Sequence, residues 1–167
     1  AVDVEAICAN LLNAPCTRMT GIVNPNNAHP TLKPYPYDPE IAEYLLDQAG
    51  YPRDANGVRF EMTLQAGEGR YLNDRNVVLA ICQYLDDIGV KTKCDILDWS
   101  SVYIPLIIEK KAGPMYFIGS GGATWSPLYD MADLSKPDSG PNYTKWMNEE
   151  WFKGRKVINN TTNEYII

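Results

Sequence analysis

The sequence predicts an α/β fold with a parallel sheet, and three observations lead to it. Strand-like segments recur at Phe60–Gln65, Val90–Ile96 and Met115–Ile118. Segments with helical spacing of apolar residues separate each strand from the next. The resulting order, strand–helix–strand–helix–strand, favours parallel strands joined by right-handed crossovers.

Two helices are predicted before the first strand. The chain opens with apolar residues at helical spacing, which predicts a helix over Val2–Asn13. A connection rich in proline and asparagine follows. The second helix, Pro39–Ala49, has an N-cap at Asp38, and Gly50 is suited to its C′ position. Its predicted apolar face consists of Ile41, Ala42, Leu45, Leu46 and Ala49.

Three more helices follow in the second part of the chain. The first begins at Asn73 or Asp74 and ends at Gly89. The next runs from Ser100 or Ser101 to Lys111, and the last is Asn148–Ile158.

Ligands of open parallel sheets bind outside the carboxyl ends of the strands. The candidate loops are therefore 66–73, 97–101 and 119–127.

Composition limits the classes of function. With 167 residues, 45% hydrophobic and 22% charged, the chain fits one soluble domain or one lobe of a larger protein. Its net charge of −6 argues against a nucleic-acid or anionic-membrane surface. The sequence has no apolar run of membrane-spanning length. Because both ends stop within apolar segments, we expect a fragment of a longer protein.

The four cysteines do not have the spacing of a metal site. There is no CxxC pair, and His29 is the single histidine, so a zinc site is not expected. Disulfides Cys8–Cys16 and Cys82–Cys94 are both geometrically possible in an oxidising compartment. Four buried thiols are the alternative, which the sequence slightly favours.

Two loops carry candidate binding groups. Arg70 follows the first strand, and its planar guanidinium suits bidentate binding of an anion; the alternative is a solvated surface arginine. The glycine-rich stretch Gly119–Thr124 follows the third strand, where a backbone without side chains can approach a ligand. A tight bend after the strand is the alternative there.

Several segments, taken in order, resemble the bacterial extracellular solute-binding proteins of family 5. These are periplasmic receptors that supply oligopeptides, dipeptides, nickel chelates and some sugars to ABC importers. The most specific match is Lys33–Pro52. The others are Ala1–Ile7, Leu11–Asn13, Ile88–Lys91, Asp98-Trp99, Gly119–Gly122, Asn142-Tyr143 and Asn148–Glu150.

The resemblance implies a two-lobe receptor without catalysis or cofactor. Residues 1–167 would be a single domain, most of the C-terminal lobe of a type II periplasmic-binding-protein-like fold. The partners would be a small-molecule or peptide ligand, ABC permease membrane subunits and the missing N-terminal lobe, with no nucleic acid. The location would be periplasmic, or extracellular and membrane-anchored.

The resemblance also assigns site residues. Arg70 stands where dipeptide-type members often have an arginine for the ligand carboxylate. Ala123 replaces the aspartate that pairs with a peptide's amino terminus, and alanine cannot make that ion pair. The implied ligand-binding positions are Arg70, Ser120, Gly121, Gly122, Ala123, Thr124 and Trp125.

Two other functions compete with this interpretation. A carboxylate-based hydrolase would use residues from Asp98, Asp130 and Asp133, although no nucleophile–base pair is recognisable. A protein-interaction domain would require the rings of Tyr35, Tyr37 and Tyr116 to form one exposed patch.

Overall fold

The computed structural model describes residues 1–23, 29–119, 140 and 142–159. The chain divides into two compact units. The first comprises Ala1–Arg18 and Pro34–Gly119, and the second comprises Met19–Lys33 and Ser120–Ile167. The first unit contains the sheet.

The helices and strands follow the predicted order. The α-helices are α1 (Val4–Ile7), α2 (Pro39–Gln48), α3 (Asp74–Asp87), α4 (Ile104–Ile108) and α5 (Glu149–Asn159). A π-helical segment, Cys8–Leu12, continues α1, and another, Trp99–Tyr103, precedes α4. The strands are β1 (Phe60–Glu68), β2 (Val90–Asp98) and β3 (Met115–Phe117).

The three strands form a parallel sheet in the order β2-β1-β3. Pairing between β1 and β2 begins at Phe60↔Val90 and continues to Glu68↔Asp98. Both strands are therefore longer than predicted, because the ladder continues past the point where the alternation of apolar and polar residues ends. The α/β prediction is confirmed.

The core lies between α3 and one face of the sheet. Leu64 and Ala66 from β1 pack with Val78 and Cys82 from α3, and all four are at most 5% exposed. Met115 and Phe117 of β3 pack against the same cluster. Because side chains alternate along a strand, Tyr116 lies on the opposite face of the sheet.

Helix α2 begins at Pro39, as predicted, and ends at Gln48, one residue before the predicted end. The Asp38 carboxylate accepts a hydrogen bond from the N–H of Ile41 at 2.9 Å, and Gly50 has φ +87°. Its predicted apolar face is only partly buried, because Ile41 and Leu45 are 51% and 58% exposed. Within the first unit, only part of that face is covered.

A buried guanidinium fastens α2 to the amino-terminal end of the sheet. The Arg59 side chain is 2% exposed and forms ion pairs with Glu43 and Asp47 of α2. It also donates to the carbonyl oxygens of Tyr51 and Ile88, at 2.7 and 2.9 Å. Polar contacts therefore contribute to holding this helix, whose apolar residues are not fully buried.

All four cysteines are paired. Cys8–Cys16 closes a loop after α1, and Cys82–Cys94 joins α3 to β2, with Cα–Cα distances of 5.9 and 6.4 Å. The slight preference for free thiols was wrong. The alternation that places Cys94 on the α3 side of β2 brings its sulfur to Cys82.

The second unit contains α5 and the turn before it. Asn142 is 1% exposed, and its side-chain NH₂ donates to the backbone carbonyl of Trp146 at 2.8 Å. The side-chain oxygen of Asn142 accepts from the N–H of Trp146. Asn148 then caps α5 by accepting from the N–H of Trp151 at 2.9 Å. Among the described helices, none has the length and apolarity needed to cross a bilayer.

Candidate ligand-binding site

Aromatic side chains collect at the carboxyl ends of the three strands. Tyr71 follows β1, Trp99 follows β2, and Phe117 ends β3. The Tyr71 ring contacts Trp99 and Phe117 edge-on, with centroid distances of 5.4 and 6.2 Å, and Trp99 lies 5.7 Å from Tyr103. We call Tyr71, Trp99, Tyr103 and Phe117 the aromatic shelf.

The aromatic shelf packs directly on the backbone of β1 at Gly67. A Cβ added there would lie 2.6 Å from Trp99 Cε3 and 2.7 Å from Tyr103 Cδ1. Real Cβ atoms essentially never come so close. The glycine is therefore required for both rings to cover the end of β1.

Tyr103 is the buried member of the aromatic shelf. Its side chain is fully buried, and its hydroxyl donates to the carbonyl of Phe117 at 2.6 Å. Burial raises the pKa of this phenol, although the hydrogen bond to Phe117 acts in the opposite direction. Tyr103 is thus a neutral donor that fixes the end of β3.

Arg70 lies on the aromatic shelf. Its guanidinium carbon is 5.6 Å from the centroid of Tyr71 and 5.9 Å from that of Trp99, within the range of cation–π attraction. The residue is exposed, and its side chain has no hydrogen bond or ion pair with any residue that the structure describes. Its N–H donors are therefore available to an anion.

The buried carboxylate of Asp74 holds the backbone of this loop. Its oxygens accept from the N–H groups of Arg70, Tyr71 and Arg75 at 2.8–3.0 Å. Burial raises the pKa of Asp74, but these hydrogen bonds outweigh burial and leave the pKa lowered. The ionised carboxylate fixes the turn that presents Arg70 and Tyr71.

The shelf also reaches the exit of β3. The Tyr71 hydroxyl accepts a hydrogen bond from the N–H of Gly119 at 2.8 Å. A Cβ at Gly119 would lie 2.8 Å from Tyr71 Cε1, so this position also requires glycine. Tyr71 thereby links the loop after β1 to the chain that leaves β3.

Two open depressions, of about 270 and 340 Å³, lie at the other end of the sheet around Lys91. Neither is lined by Arg70 or Trp99. Within the described ranges, no group of three or more histidine, cysteine, aspartate or glutamate residues could hold a metal.

The predicted site residues fall into two groups. Arg70 lies at the carboxyl edge of the sheet, as expected of the loop after β1. The other predicted positions, Ser120, Gly121, Gly122, Ala123, Thr124 and Trp125, lie outside the described residues. Sequence reasoning did not assign Tyr71, Trp99 or Tyr103 to the site, although an aromatic residue closely follows each of β1 and β2.

Asp98, one candidate of the hydrolase interpretation, caps the turn after β2. The Asp98 carboxylate accepts from the N–H and the hydroxyl of Ser101 at 2.8 and 2.6 Å. The Ser101 hydroxyl is the main cause of the lowered pKa of Asp98, which makes this group a turn cap and a poor general acid. Asp130 and Asp133 lie outside the described residues.

The tyrosines of the interaction-domain interpretation do not share one face. Tyr35 is 87% exposed, but Tyr37 packs edge-on against Tyr84 of α3. Tyr116 is half-buried and lies on the face of the sheet opposite α3. The single exposed patch that this interpretation requires is therefore not formed.

Comparison with known proteins identifies the family. The family described as "Bacterial extracellular solute-binding proteins, family 5 Middle" matches residues 1–142. This chain belongs to the family 5 solute-binding proteins. The resemblance seen in the sequence is confirmed.

Curated family 5 relatives are much longer than this chain. The glutathione-binding protein GsiB of Escherichia coli K12 is 36% identical over 139 residues, which cover 77% of this chain and 26% of GsiB. The oligopeptide-binding protein AppA of Bacillus subtilis is 23% identical over 128 residues, covering 70% of this chain and 22% of AppA. The chain spans about a quarter of the length of these relatives.

Solved structures of family 5 proteins share the fold. NikA from Brucella suis, in complex with Fe(III)-EDTA, matches 99% of this chain and 35% of its own with a TM-score of 0.80 at 21% identity. DppA from Helicobacter pylori, in complex with the peptide STSA, matches 98% of this chain and 31% of its own with a TM-score of 0.77 at 18% identity. The prediction of a type II periplasmic-binding-protein-like fold is confirmed.

Proposed function

We propose that this chain is most of the C-terminal lobe of a two-lobe receptor that binds a small carboxylate-bearing solute for import by an ABC transporter. Family membership supports the class of protein. The observation that carries the ligand class is the Arg70 guanidinium, which lies on Tyr71 and Trp99 with its donors uncommitted among the described residues.

An arginine placed in this way suits a carboxylate. The ring faces attract the cation without using its N–H groups, so the planar fork keeps its geometry for two parallel hydrogen bonds. The rings also restrict the side chain before binding, which lowers the entropy lost when a ligand is held. The site lies where parallel sheets bind ligands, at the carboxyl ends of the strands.

The remaining proposed positions rest on the sequence. Ser120, Gly121, Gly122, Ala123, Thr124 and Trp125 complete the proposed ligand-binding set. Alanine at position 123 provides no anion for a ligand amine, so recognition would depend on the carboxylate. We therefore include peptide-like solutes whose amino group is not held by an ion pair.

The proposal includes the cellular location of the receptor and its membrane partner. Two disulfides, Cys8–Cys16 and Cys82–Cys94, favour an oxidising compartment, which agrees with a periplasmic or extracellular, membrane-anchored protein. Closure of the two lobes around the ligand would present the complex to the permease membrane subunits. The protein would return its ligand unchanged and catalyse no reaction.

Calorimetric titration of the full-length parent protein tests this proposal. We choose glutathione and trialanine as probes, because each is a small peptide with a free carboxylate. Arg70→Ala should weaken binding by about 2–5 kcal/mol where closure buries the ion pair, and Arg70→Lys should recover part of the loss. Arg75→Ala is the matched control, since it removes an equal charge from an exposed pair with Glu68.

The outcomes separate the parts of the proposal. Affinity unchanged by Arg70→Ala would refute the role of this arginine. If the wild-type parent binds neither probe, the ligand class is wrong. Mass spectrometry of the recovered probe tests the hydrolase alternative, because cleaved products would contradict a receptor.

A further inference from the structure

The Tyr71 hydroxyl is the second polar group of the described site with unused hydrogen-bonding capacity. A phenol oxygen both accepts and donates. The N–H of Gly119 occupies the acceptor side at 2.8 Å, and the described residues offer no acceptor for the hydroxyl proton. The Asp74 carboxylate holds the backbone of Tyr71, so the position of the ring is fixed at both ends.

The surroundings determine what this hydroxyl can bind. The Arg70 guanidinium carbon lies 5.6 Å from the centroid of the same ring, so both donors border the same small region at the carboxyl edge of the sheet. Accepting a hydrogen bond from Gly119 polarises the phenol and strengthens it as a donor. A neutral O–H beside a cation favours an acceptor that carries negative charge.

We infer that the Tyr71 hydroxyl is a specificity-determining group, which donates a hydrogen bond to the ligand carboxylate held by Arg70. This inference rests on the proposed function. Arg70 supplies charge, and Tyr71 supplies a donor whose direction is set by the N–H of Gly119. The pair then distinguishes a carboxylate from the corresponding amide, because only the carboxylate offers acceptor oxygens to both donors without presenting an N–H group.

The geometry around Gly119 explains why the hydroxyl stays in place. The Tyr71 ring is in edge contact with Trp99 and Phe117, which restrict its rotation. A methyl group at position 119 would fall 2.8–3.0 Å from three atoms of the tyrosine, including the hydroxyl oxygen at 2.9 Å. Gly119→Ala should therefore displace the phenol while leaving every polar group of the site present.

The test compares Tyr71→Phe with wild type in the full-length parent, using trialanine and trialanine amide as probes. Tyr71→Phe should weaken trialanine about tenfold, as expected for a lost hydrogen bond to a charged group, and change the amide by less than about twofold. Tyr44→Phe, an equal deletion on an exposed tyrosine of α2, should leave both affinities unchanged. Gly119→Ala should reproduce the selective loss of trialanine affinity.

Each outcome gives a decision. Equal affinities of Tyr71→Phe and wild type for trialanine would overturn the inference and leave the role of Arg70 intact. Equal losses for the acid and the amide would also overturn it, because the hydroxyl would then act on the shape of the site. If wild-type protein fails to bind trialanine and glutathione, the proposed function itself falls. Should Tyr71→Phe not fold, the Gly119→Ala measurement decides.

Discussion

Gly67→Ala should destabilise the unit that contains the sheet and should also disturb the aromatic shelf. The new Cβ would lie 2.6 Å from Trp99 and 2.7 Å from Tyr103, at least about 0.7 Å short of ordinary van der Waals contact. Tyr103 is fully buried and tied to Phe117 by its hydroxyl, so it has little room to move. Trp99 is only half-buried, and we expect it to take up most of the displacement.

The expected cost follows from measured overpacking. Inserting a methyl group into a close-packed contact costs about 1–3 kcal/mol. For a domain of 150–250 residues, a range that includes the length of this chain, each kcal/mol lowers the melting temperature by about 2–4 °C, so the melting temperature should fall by about 2–12 °C. Moving Trp99 also removes one of the two rings under Arg70, which should weaken binding of trialanine.

Differential scanning calorimetry of the full-length parent, with near-ultraviolet circular dichroism as a report on the rings, measures both effects. Gly154→Ala is the opposite control: it lies inside α5, and its Cβ would meet nothing within 4 Å. That change should stabilise the helix by about 0.5–1 kcal/mol. A Gly67→Ala protein that melts at the wild-type temperature with an unaltered spectrum would refute the account of tight packing on β1.

Two further predictions concern stability. Hydrogen bonds from Arg53 and then Arg59 lower the pKa of Glu43 from 4.5 to about 2, so its stabilising effect is complete above pH 4.5 and is lost as the pH falls towards 2. Because Glu43 is 35% exposed, the effect should stay below about 1 kcal/mol, and Glu43→Gln should flatten the acid limb of a melting-temperature profile. Replacing Cys82 and Cys94 together by alanine should cost about 3 kcal/mol from loop entropy, given their separation of 12 residues. The equivalent change at Cys8 and Cys16, separated by 8 residues, should cost slightly less. If either double variant has the same melting temperature as wild type, the estimate for that disulfide is contradicted.

Local chemistry predicted the caps of α2 and the end of α3. Asp38 and Gly50 enclose α2 because a capping carboxylate and a left-handed glycine act within one turn of chain. Gly89, with φ +85°, ends α3 for the same reason. Such signals need no tertiary information, and the sequence therefore contains them in full.

Features that depend on neighbouring elements were predicted less well. The last residues of β1 are strand only because β2 continues beside them to Asp98, and no periodicity in 66–68 shows this. The apolar face of α2 was overestimated because helical spacing shows which residues share a face and not whether anything covers it. Ile41 and Leu45 remain more than half exposed.

The site was predicted in position but not in composition. The order of strands placed Arg70 at the carboxyl edge, whereas the aromatic shelf depends on the register that brings Trp99 beside Tyr71. Two signals were present in the sequence: an aromatic residue at the end of each strand, and Gly67 within a strand, where glycine often marks close approach of another group. The glycine was the more specific of the two.

The unused hydrogen-bonding groups of Arg70 and Tyr71 in the described site are donors. Arg70 contacts the described residues through the π faces of Tyr71 and Trp99, which leaves its N–H groups unused. The Tyr71 oxygen accepts one hydrogen bond, from the N–H of Gly119, and its own proton remains to be donated. The nearby carboxylates are already engaged: Asp74 accepts from three backbone N–H groups, and Glu68 is paired with Arg75. Donors fixed in place without acceptors are stabilised when an acceptor arrives, and a cation or a purely apolar ligand would leave them unpaired. This asymmetry favours a carboxylate over a cationic solute at this edge of the sheet.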